Sequence, residues 1–368
     1  MASKKNIVVV GGGSGGSLVA KTLAGKIPSA QVTLINPVDY LVSRPTLPRM
    51  TVSDQNDLLE TALVPFDKLF TTPNGKFVKG LVETIQANEK GGNVVLTDGQ
   101  QIAYDFLVLA PGSIWEGPLD IPEDAAGAKA FVAQQRAAFS KASKIVLVGG
   151  GAVGIEFAGE IKDIWPTKEV TIVHGEKGLL NSTYTASFRN GMEKGLHARG
   201  INIILDDFVD DIPTDGSPVK TRKGHSIEAD LVVSTRGPRP RTAFIAQSLG
   251  EDVLDKRGQI KVQPTLQLIG HSNIFALGDA IDYVEQKQVM KAMAHSGIVT
   301  ANIVALASGS TKLKPYKGST EMIIVTNGKN GGRAYIGMLW GIVLGDWFAR
   351  MIKSKTLLVP MTRGNMGY

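Results

Sequence analysis

The 368-residue chain is predicted to be an α/β protein with two Rossmann-like dinucleotide-binding domains and a small C-terminal α+β domain. Three observations lead there. At Ile145–Glu156, IVLVGGGAVGIE, four apolar residues read as a buried parallel strand. Gly149, Gly151 and Gly154 follow at G-x-G-x-x-G spacing, and a helix opens behind them. In that pattern the first glycine permits a tight turn, the second lets a pyrophosphate approach the backbone, and the third lets helix pack on strand. The helix N-terminus adds free N–H groups aimed at phosphate. One such loop is a weak signal, but Ile7–Gly16, IVVVGGGSGG, repeats it with Gly11, Gly13 and Gly16. The third observation is that the repetition continues in order. Gln31–Ile35 (QVTLI) matches Glu169–Val173 (EVTIV), and Asp105–Ala110 with Pro111-Gly112 matches Asp230–Thr235 with Arg236-Gly237. Two dinucleotide loops in one duplicated chain imply two dinucleotides meeting, which is a redox arrangement.

Composition narrows the chemistry. With 43% hydrophobic and 20% charged residues the chain reads as globular, and its length allows two or three cores. The absence of cysteine excludes disulfides, thiolate metal sites, Fe–S clusters and any redox-active cysteine pair, and no metal site is expected. The net charge of +6 is a mild field with no basic stripe, which argues against nucleic acid as the main partner. The start, MASKKN, lacks an apolar signal region and carries Ala2 where N-myristoylation needs glycine. A cytoplasmic, non-secreted protein is expected. The longest apolar run, AYIGMLWGIVLG, stops at Asp346 after 12 residues, where a spanning helix needs about 20. No transmembrane helix is therefore expected.

Taken in order, the second strand of the first half ends at Asn36, where many such domains place an acid on the ribose hydroxyls. Asn36 can still hydrogen-bond a hydroxyl, Asp39 could serve instead, and neither need do so. His174 holds the same place in the second half. Tyr40–Met50, YLVSRPTLPRM, is either a surface loop or the source of a phosphate-neutralising Arg49. Phe77–Thr84 and Asn93–Thr97 read as strands with Gly91-Gly92 as a turn between them, and Ala125–Ser143 reads largely as helix. In Asn273–Ala280, NIFALGDA, a short strand ends in Gly278-Asp279, and Val289–Ala307 has helical spacing. Tyr316–Val325 reads as strand and Asn327–Gly332 as a turn. Met338–Ile352 is apolar throughout, with Asp346 and Arg350 at i, i+4, and Arg350, Lys353, Lys355 and Arg363 make this end cationic. It is either an interface helix docked on the body or a surface that dips into lipid headgroups.

The order GGGSGG, LAPG, GGGAVGIE, TRG and FALGD resembles the two-dinucleotide flavoproteins of the disulfide-reductase type. From Asn6 to about Arg363 the chain is most similar to the apoptosis-inducing-factor-like branch that includes the ferroptosis suppressors, on EVTIVH, GHSNIFALGDA, TANIVA, YKGSTEMIIV and IKSKTLLV. That resemblance implies non-covalent FAD, NADH or NADPH as co-substrate, and reduction of quinones of the ubiquinone or vitamin K type at membranes or lipid droplets. It implies an FAD-binding domain from residues 1–137 and 251–311, an NAD(P)H-binding domain from 138–250, and a quinone- or membrane-side domain from 312–368. By the same resemblance Gly11, Gly12, Gly13, Ser14, Gly15 and Gly16 would bind the FAD pyrophosphate, with Arg49 against the phosphates. Val82 would meet the adenine, and Ala110, Gly112 and Asp279 would complete the site, Asp279 on the ribityl chain. Gly149, Gly151, Gly154, His174 and Gly237 would hold the nicotinamide dinucleotide, and Glu156 would face the nicotinamide. Lys287, His295 and Lys353 match basic positions near the flavin or quinone end. Three positions depart from the family: Asn36 for an acid, Ala2 for a glycine that some members lipidate, and Pro111 for a threonine.

The expected reaction is hydride transfer from NAD(P)H to flavin, then electrons to quinone, with proximity as the protein's main contribution. The catalytic candidates are Glu156, His295 and Lys353. Glu156 could equally be a first-turn carboxylate favoured by the helix dipole. His295 is a candidate proton donor or a hydrogen-bonded core histidine. His174, neither acid nor arginine, predicts use of both nucleotides. A reductase serving a protein partner and a redox-sensing or DNA-binding effector are the rival readings, and a homodimer is compatible with the sequence.

Overall fold

The computed structural model describes residues 4–88, 90–214 and 216–368, so Ala2 lies outside the described residues. The first half supplies Asn6–Val10 (β1), Ser14–Lys26 (α1), Gln31–Asn36 (β2), Leu47–Val52 (α2) and Gly75–Lys79 (β3). Then come Val82–Asn88 (β4), Gly91–Leu96 (β5), Gln101–Tyr104 (β6), Phe106–Leu109 (β7) and Ala125–Lys141 (α3). The second half supplies Lys144–Val148 (β8), Ala152–Ile164 (α4), Glu169–Val173 (β9), Ala186–His197 (α5), Ile201–Ile204 (β10) and Leu231–Ser234 (β11). Ile274–Ala276 (β12) and Val289–Ala307 (α6) follow. The end of the chain is Met322–Thr326 (β13), Gly332–Ile336 (β14), Ile342–Leu344 (β15), Asp346–Ala349 (α7), five residues of π-helix at Arg350–Ser354, and Val359–Met366 (α8).

Two parallel sheets carry the duplication. The first runs β12-β7-β1-β2-β3 and the second β10-β9-β8-β11. The inner strands are buried along nearly their whole length, as parallel strands covered on both faces must be. In each half the glycine-loop strand lies between the second strand and the DFLVLA or DLVVST strand. Val10 faces both Ile35 and Leu109, and Val148 faces both Val173 and Ser234. That position is the switch point where such sheets bind ligands. β12 joins the first sheet through β7, which brings Gly278-Asp279 back to the first loop. β4, β5 and β6 form a separate antiparallel sheet, and β13, β14 and β15 another.

Several elements differ from expectation. Phe77–Thr84 is two strands, because Gly80 donates to Asn36 O at 3.0 Å and ends the parallel edge before β4 turns into the antiparallel sheet. Gly91 and Gly92 belong to β5 rather than to the turn before it. Of Tyr316–Val325, only Met322 onward is strand. Met338–Ile352 is not one helix: Leu339, Trp340 and Gly341, all at positive φ, turn the chain into β15 before the short α7. Asp346 and Arg350 do not pair with each other there. Asp346 accepts from Gly332 N–H at 2.8 Å and Arg350 donates to Asn330 Oδ1 at 2.9 Å.

The 19 residues of α6 are long and apolar enough to cross a membrane by length and composition. α6 instead packs along α1, and it carries Lys291, His295 and Asn302 into the interior, as a core helix with buried partners does. One core surrounds the first sheet, and a second gathers β8, β9 and α4 with residues of α2 and of the C-terminal segment, Val325, Tyr335, Leu357 and Val359 among them.

Candidate active site

The two glycine loops are built alike. Gly11 and Gly149 sit at positive φ, and a Cβ on either would strike the backbone of the neighbouring strand end, Ala110 O at 2.1 Å and Thr235 O at 2.6 Å. A Cβ on Gly16 or Gly154 would run into the carbonyl of Gly11 or Gly149. The middle glycines, Gly13 and Gly151, face open space. Each of these two is the N-cap of its helix in extended conformation, with no side-chain cap and no acid in the first turn. The first N–H groups of α1 and α4 are thus left for an anionic ligand. Gly15 has a different job, packing α1 on Leu277 and Ala292.

The first loop opens on a cleft of about 500 Å³. Gly11, Gly12, Gly13, Asn36, Val82, Ala110 and Gly112 all line it, so the structure brings most of the first-half candidates together. Ser14 starts α1 beside them. Asp279 joins through Ser113, whose hydroxyl donates to Asp279 Oδ2 at 3.1 Å and which itself lines the cleft. Gly237 stands exposed past β11, with open space where a Cβ would point.

Arg49 does not line this cleft. It is buried, and its Nε and Nη2 each donate to Glu160 at 2.8 Å while Nη2 also reaches Ser354 O at 2.7 Å. Burial pushes the Glu160 carboxyl up, and Arg49 is the main group opposing it. Two arginines do line the cleft, Arg44 and Arg241; Arg241 pairs with Glu123, and Arg44 lies only five residues before Arg49 in the sequence. The Arg44 side chain is open to solvent on one side, ringed by protein on the others, and 5.9 Å from the Trp115 ring. Burial works against the Arg44 charge, while Asp279 works for it.

On α4, one turn before Glu160, lies Glu156. Its Oε1 accepts from Lys353 Nζ at 2.6 Å and from Thr326 N–H at 3.2 Å, and Lys353 also donates to Ile324 O at 2.9 Å. Two predicted catalytic residues, far apart in sequence, are thus one part-buried pair joining α4 to the π-helical turn of the C-terminal segment. Short π segments recur at functional sites. The sequence signal for both pairs was present: two acids four apart on a helix whose residues between them are Phe, Ala and Gly need buried cations.

His295 is 1% exposed, and both ring nitrogens are engaged. Nδ1 accepts from Gly278 N–H at 3.1 Å, and Nε2 lies 2.7 Å from Glu285 Oε1, close enough to pair although the N–H is not aimed squarely along that line. Expected as a candidate proton donor, it is placed as the hydrogen-bonded core histidine that pins the Gly278-Asp279 turn. Burial alone would raise the Glu285 carboxyl, but His295, Tyr316 and Lys291 hold it below its ordinary value. Lys291 also pairs with Glu321 at 3.2 Å, extending the network toward β13. Lys287 donates to Ile281 O and Tyr283 O, and burial lowers its pKa against the pull of Glu285 and Asp279.

With this geometry in place, the sequence matches the pyridine nucleotide-disulphide oxidoreductase family over residues 5–296. The chain belongs to that family. It is 44% identical to an FAD-dependent oxidoreductase of Flammulina velutipes over 85% of this chain and 98% of the relative. It is 30% identical to apoptosis-inducing factor homolog B of Dictyostelium discoideum over 97% and 96%, and 28% identical to human ferroptosis suppressor protein 1 over 96% and 94%. The resemblance read from the motifs is therefore borne out. Among solved structures, the sulfide:quinone oxidoreductase of Aquifex aeolicus superimposes with a TM-score of 0.79 at 20% identity, covering 98% of this chain and 92% of that one. The reduced CoADR-RHD of Bacillus anthracis gives 0.72 at 22% identity, covering 90% of this chain, which spans 61% of that longer chain. Both show the two-dinucleotide fold. The disulphide of the family's name has no counterpart in this cysteine-free chain.

Proposed function

We propose that the chain is an FAD-dependent NAD(P)H:quinone oxidoreductase, with FAD on the first loop and NADH or NADPH exchanging on the second. The observation that carries this reading is the matched pair of loops, each with its middle glycine open to a ligand and its helix N-terminus uncapped. The first-loop residues fit FAD: Gly11–Gly13 would take the pyrophosphate, Arg44 would supply a cation in the cleft, Val82 would border the adenine, and Asp279, held by Ser113, would meet the ribityl hydroxyls. The chemistry FAD supplies when bound is acceptance of a hydride and onward transfer of two electrons.

The chain's own part is binding, orientation and charge. Both donors to Glu156 converge on Oε1, and among the described residues Oε2 has no hydrogen-bond partner. That oxygen is available to accept from a nicotinamide carboxamide, and Lys353 keeps a third N–H for an acceptor oxygen. The net reaction, NAD(P)H plus a proton plus quinone giving NAD(P)+ and quinol, consumes one proton, and water at the cleft mouth can deliver it. An apolar acceptor suits the C-terminal side, where Leu339, Trp340, Trp347 and Met351 are exposed, Trp340 at 96%. It suits peripheral contact with a membrane or lipid droplet as well. A quinol made there would trap lipid radicals, the role the ferroptosis suppressor names suggest.

The rival reading is a reductase of a protein partner docked by charge. NADH-driven reduction of a short-chain quinone, measured from low to high ionic strength, separates them. The quinone reading expects a rate that changes less than about threefold. A slow quinone rate beside a fast, steeply salt-sensitive rate with an electron-carrier protein would replace it.

A further inference from the structure

The residue that ends the second strand of each half is expected to read the ribose of its dinucleotide. The hydrogen bonds of Asn36 and His174 describe something else. Asn36 Oδ1 accepts from Gly12 N–H at 2.8 Å, and its Nδ2 donates to Val38 O at 2.8 Å. His174 Nδ1 accepts from Gly150 N–H at 3.1 Å, and its Nε2 lies 2.8 Å from Leu180 O. An N–H that donates to Nδ1 needs the lone pair there, so the ring proton sits on Nε2 and is given to Leu180. An amide in one half and an imidazole in the other thus make the same two bonds: one acceptor for the glycine between the first and middle glycines, one donor to a carbonyl just downstream.

The second half closes further. Leu180, at positive φ, donates its own N–H to Gly150 O at 2.8 Å, so Gly150 and Leu180 are tied directly and again through the imidazole. Arg189 anchors the same segment by donating to Gly178 O and Leu179 O. The fit is close: a Cβ on Gly150 would lie 2.8 Å from His174 Cβ, and one on Gly12 would lie 3.0 Å from the Asn36 amide carbon.

We propose that Asn36 and His174 are positioning residues that brace the phosphate loops, and that His174 therefore sets how well the second loop receives NAD(P)H without choosing between NADH and NADPH. Asparagine, whose Oδ1 stands about where His174 Nδ1 does, is the substitution that can keep the bond from Gly150 N–H, as Asn36 does for Gly12 in the other half, while its shorter amide gives up the reach of Nε2 to Leu180 O. The nucleotide part of the proposal rests on the second loop being the NAD(P)H site. The loop part does not.

The test uses the FAD-loaded full chain with His174→Ala and His174→Asn. Backbone amide exchange of the segment 145–156 without nucleotide reads the brace itself. It should quicken about tenfold in His174→Ala, the effect of losing one hydrogen bond, and return near wild type in His174→Asn. The NADH Kd and KM should rise about tenfold in His174→Ala with kcat within twofold, recover in His174→Asn, and keep the NADH-to-NADPH ratio unchanged in both. A changed exchange rate with no nucleotide binding even in wild type would retain the brace and discard the functional assignment of the loop. Unchanged exchange in His174→Ala, or His174→Asn behaving like His174→Ala, would overturn the brace. A shift of tenfold or more in the NADH-to-NADPH ratio would show that His174 reads the ribose after all.

Discussion

Arg49→Met should loosen the joint between α2, α4 and the C-terminal turn, and it should leave the cofactor cleft largely intact. Arg49 gives two 2.8 Å hydrogen bonds to Glu160 and one of 2.7 Å to Ser354 O, and the two charged side chains are 2% and 4% exposed. Removing it strands a buried carboxylate, a loss of about 3–5 kcal/mol, or a fall in Tm of roughly 4–7 °C for a chain of this size. Burial already pushes the Glu160 carboxyl up, and without Arg49 nothing comparable opposes that. A carboxyl whose folded pKa lies above its unfolded one contributes stability that is lost as pH rises through the folded value. The Arg49→Met variant should therefore be weakest at alkaline pH and partly recover in acid. Replacing both partners, Arg49→Met with Glu160→Leu, should restore much of the loss. Arg44→Met should do the opposite: an unchanged Tm without FAD, and an FAD Kd raised about 10- to 100-fold by the loss of a charge-assisted contact with the anionic cofactor. Thermal melts with and without FAD, together with fluorescence titration of FAD, read both variants. If Arg49→Met melts like wild type and loses FAD while Arg44→Met keeps it, the phosphates belong to Arg49 and this reasoning is wrong.

Three further outcomes are expected. Glu156→Gln should lower NADH turnover at least tenfold while the bound-FAD absorbance persists, and Lys353→Met should be non-additive with it because the two form one pair; a wild-type rate in Glu156→Gln would end the assignment. His295→Leu should free the buried Gly278 N–H and weaken FAD several-fold without removing a limb of the pH–rate profile, whereas a lost limb would restore the ring as proton donor. Burial opposes the Asp207 charge, but hydrogen bonds from Thr221, His225 and the Lys223 and Phe208 amides prevail and hold its carboxylate well below the usual range. A depressed folded pKa contributes stability above the unfolded value of about 4, lost as pH falls toward the folded one. Melts of Asp207→Asn from pH 7 downward should show a smaller acid loss than wild type; equal slopes would contradict this.

Much of the fold was legible because it rests on backbone demands that only glycine meets. The two loops, the repeated strands and the return of Ile274–Ala276 to the first sheet all follow from patterns that nucleotide geometry imposes. Partner choice was less legible. Nothing local in RPTLPR tells that Arg44 stands in the cleft and Arg49 goes inward, because Glu160 is brought to Arg49 only by packing α2 on α4. The pairing of Glu156 with Lys353 and of His295 with Glu285 is likewise tertiary. The C-terminal segment misled for a different reason. Its apolar run suits helix and strand alike, and the break at Leu339–Gly341 comes from a turn that two bulky residues at positive φ do not advertise.

Hydride should enter through the second loop and leave as electrons on a quinone. Anaerobic mixing of the FAD-loaded protein with one equivalent of NADH, followed by a short-chain ubiquinone, tests it directly. NADH should bleach the flavin band fully, and quinone should restore it faster than oxygen does. A flavin that NADH leaves yellow, or that bleaches and is reoxidised by oxygen but not by any quinone, would contradict it.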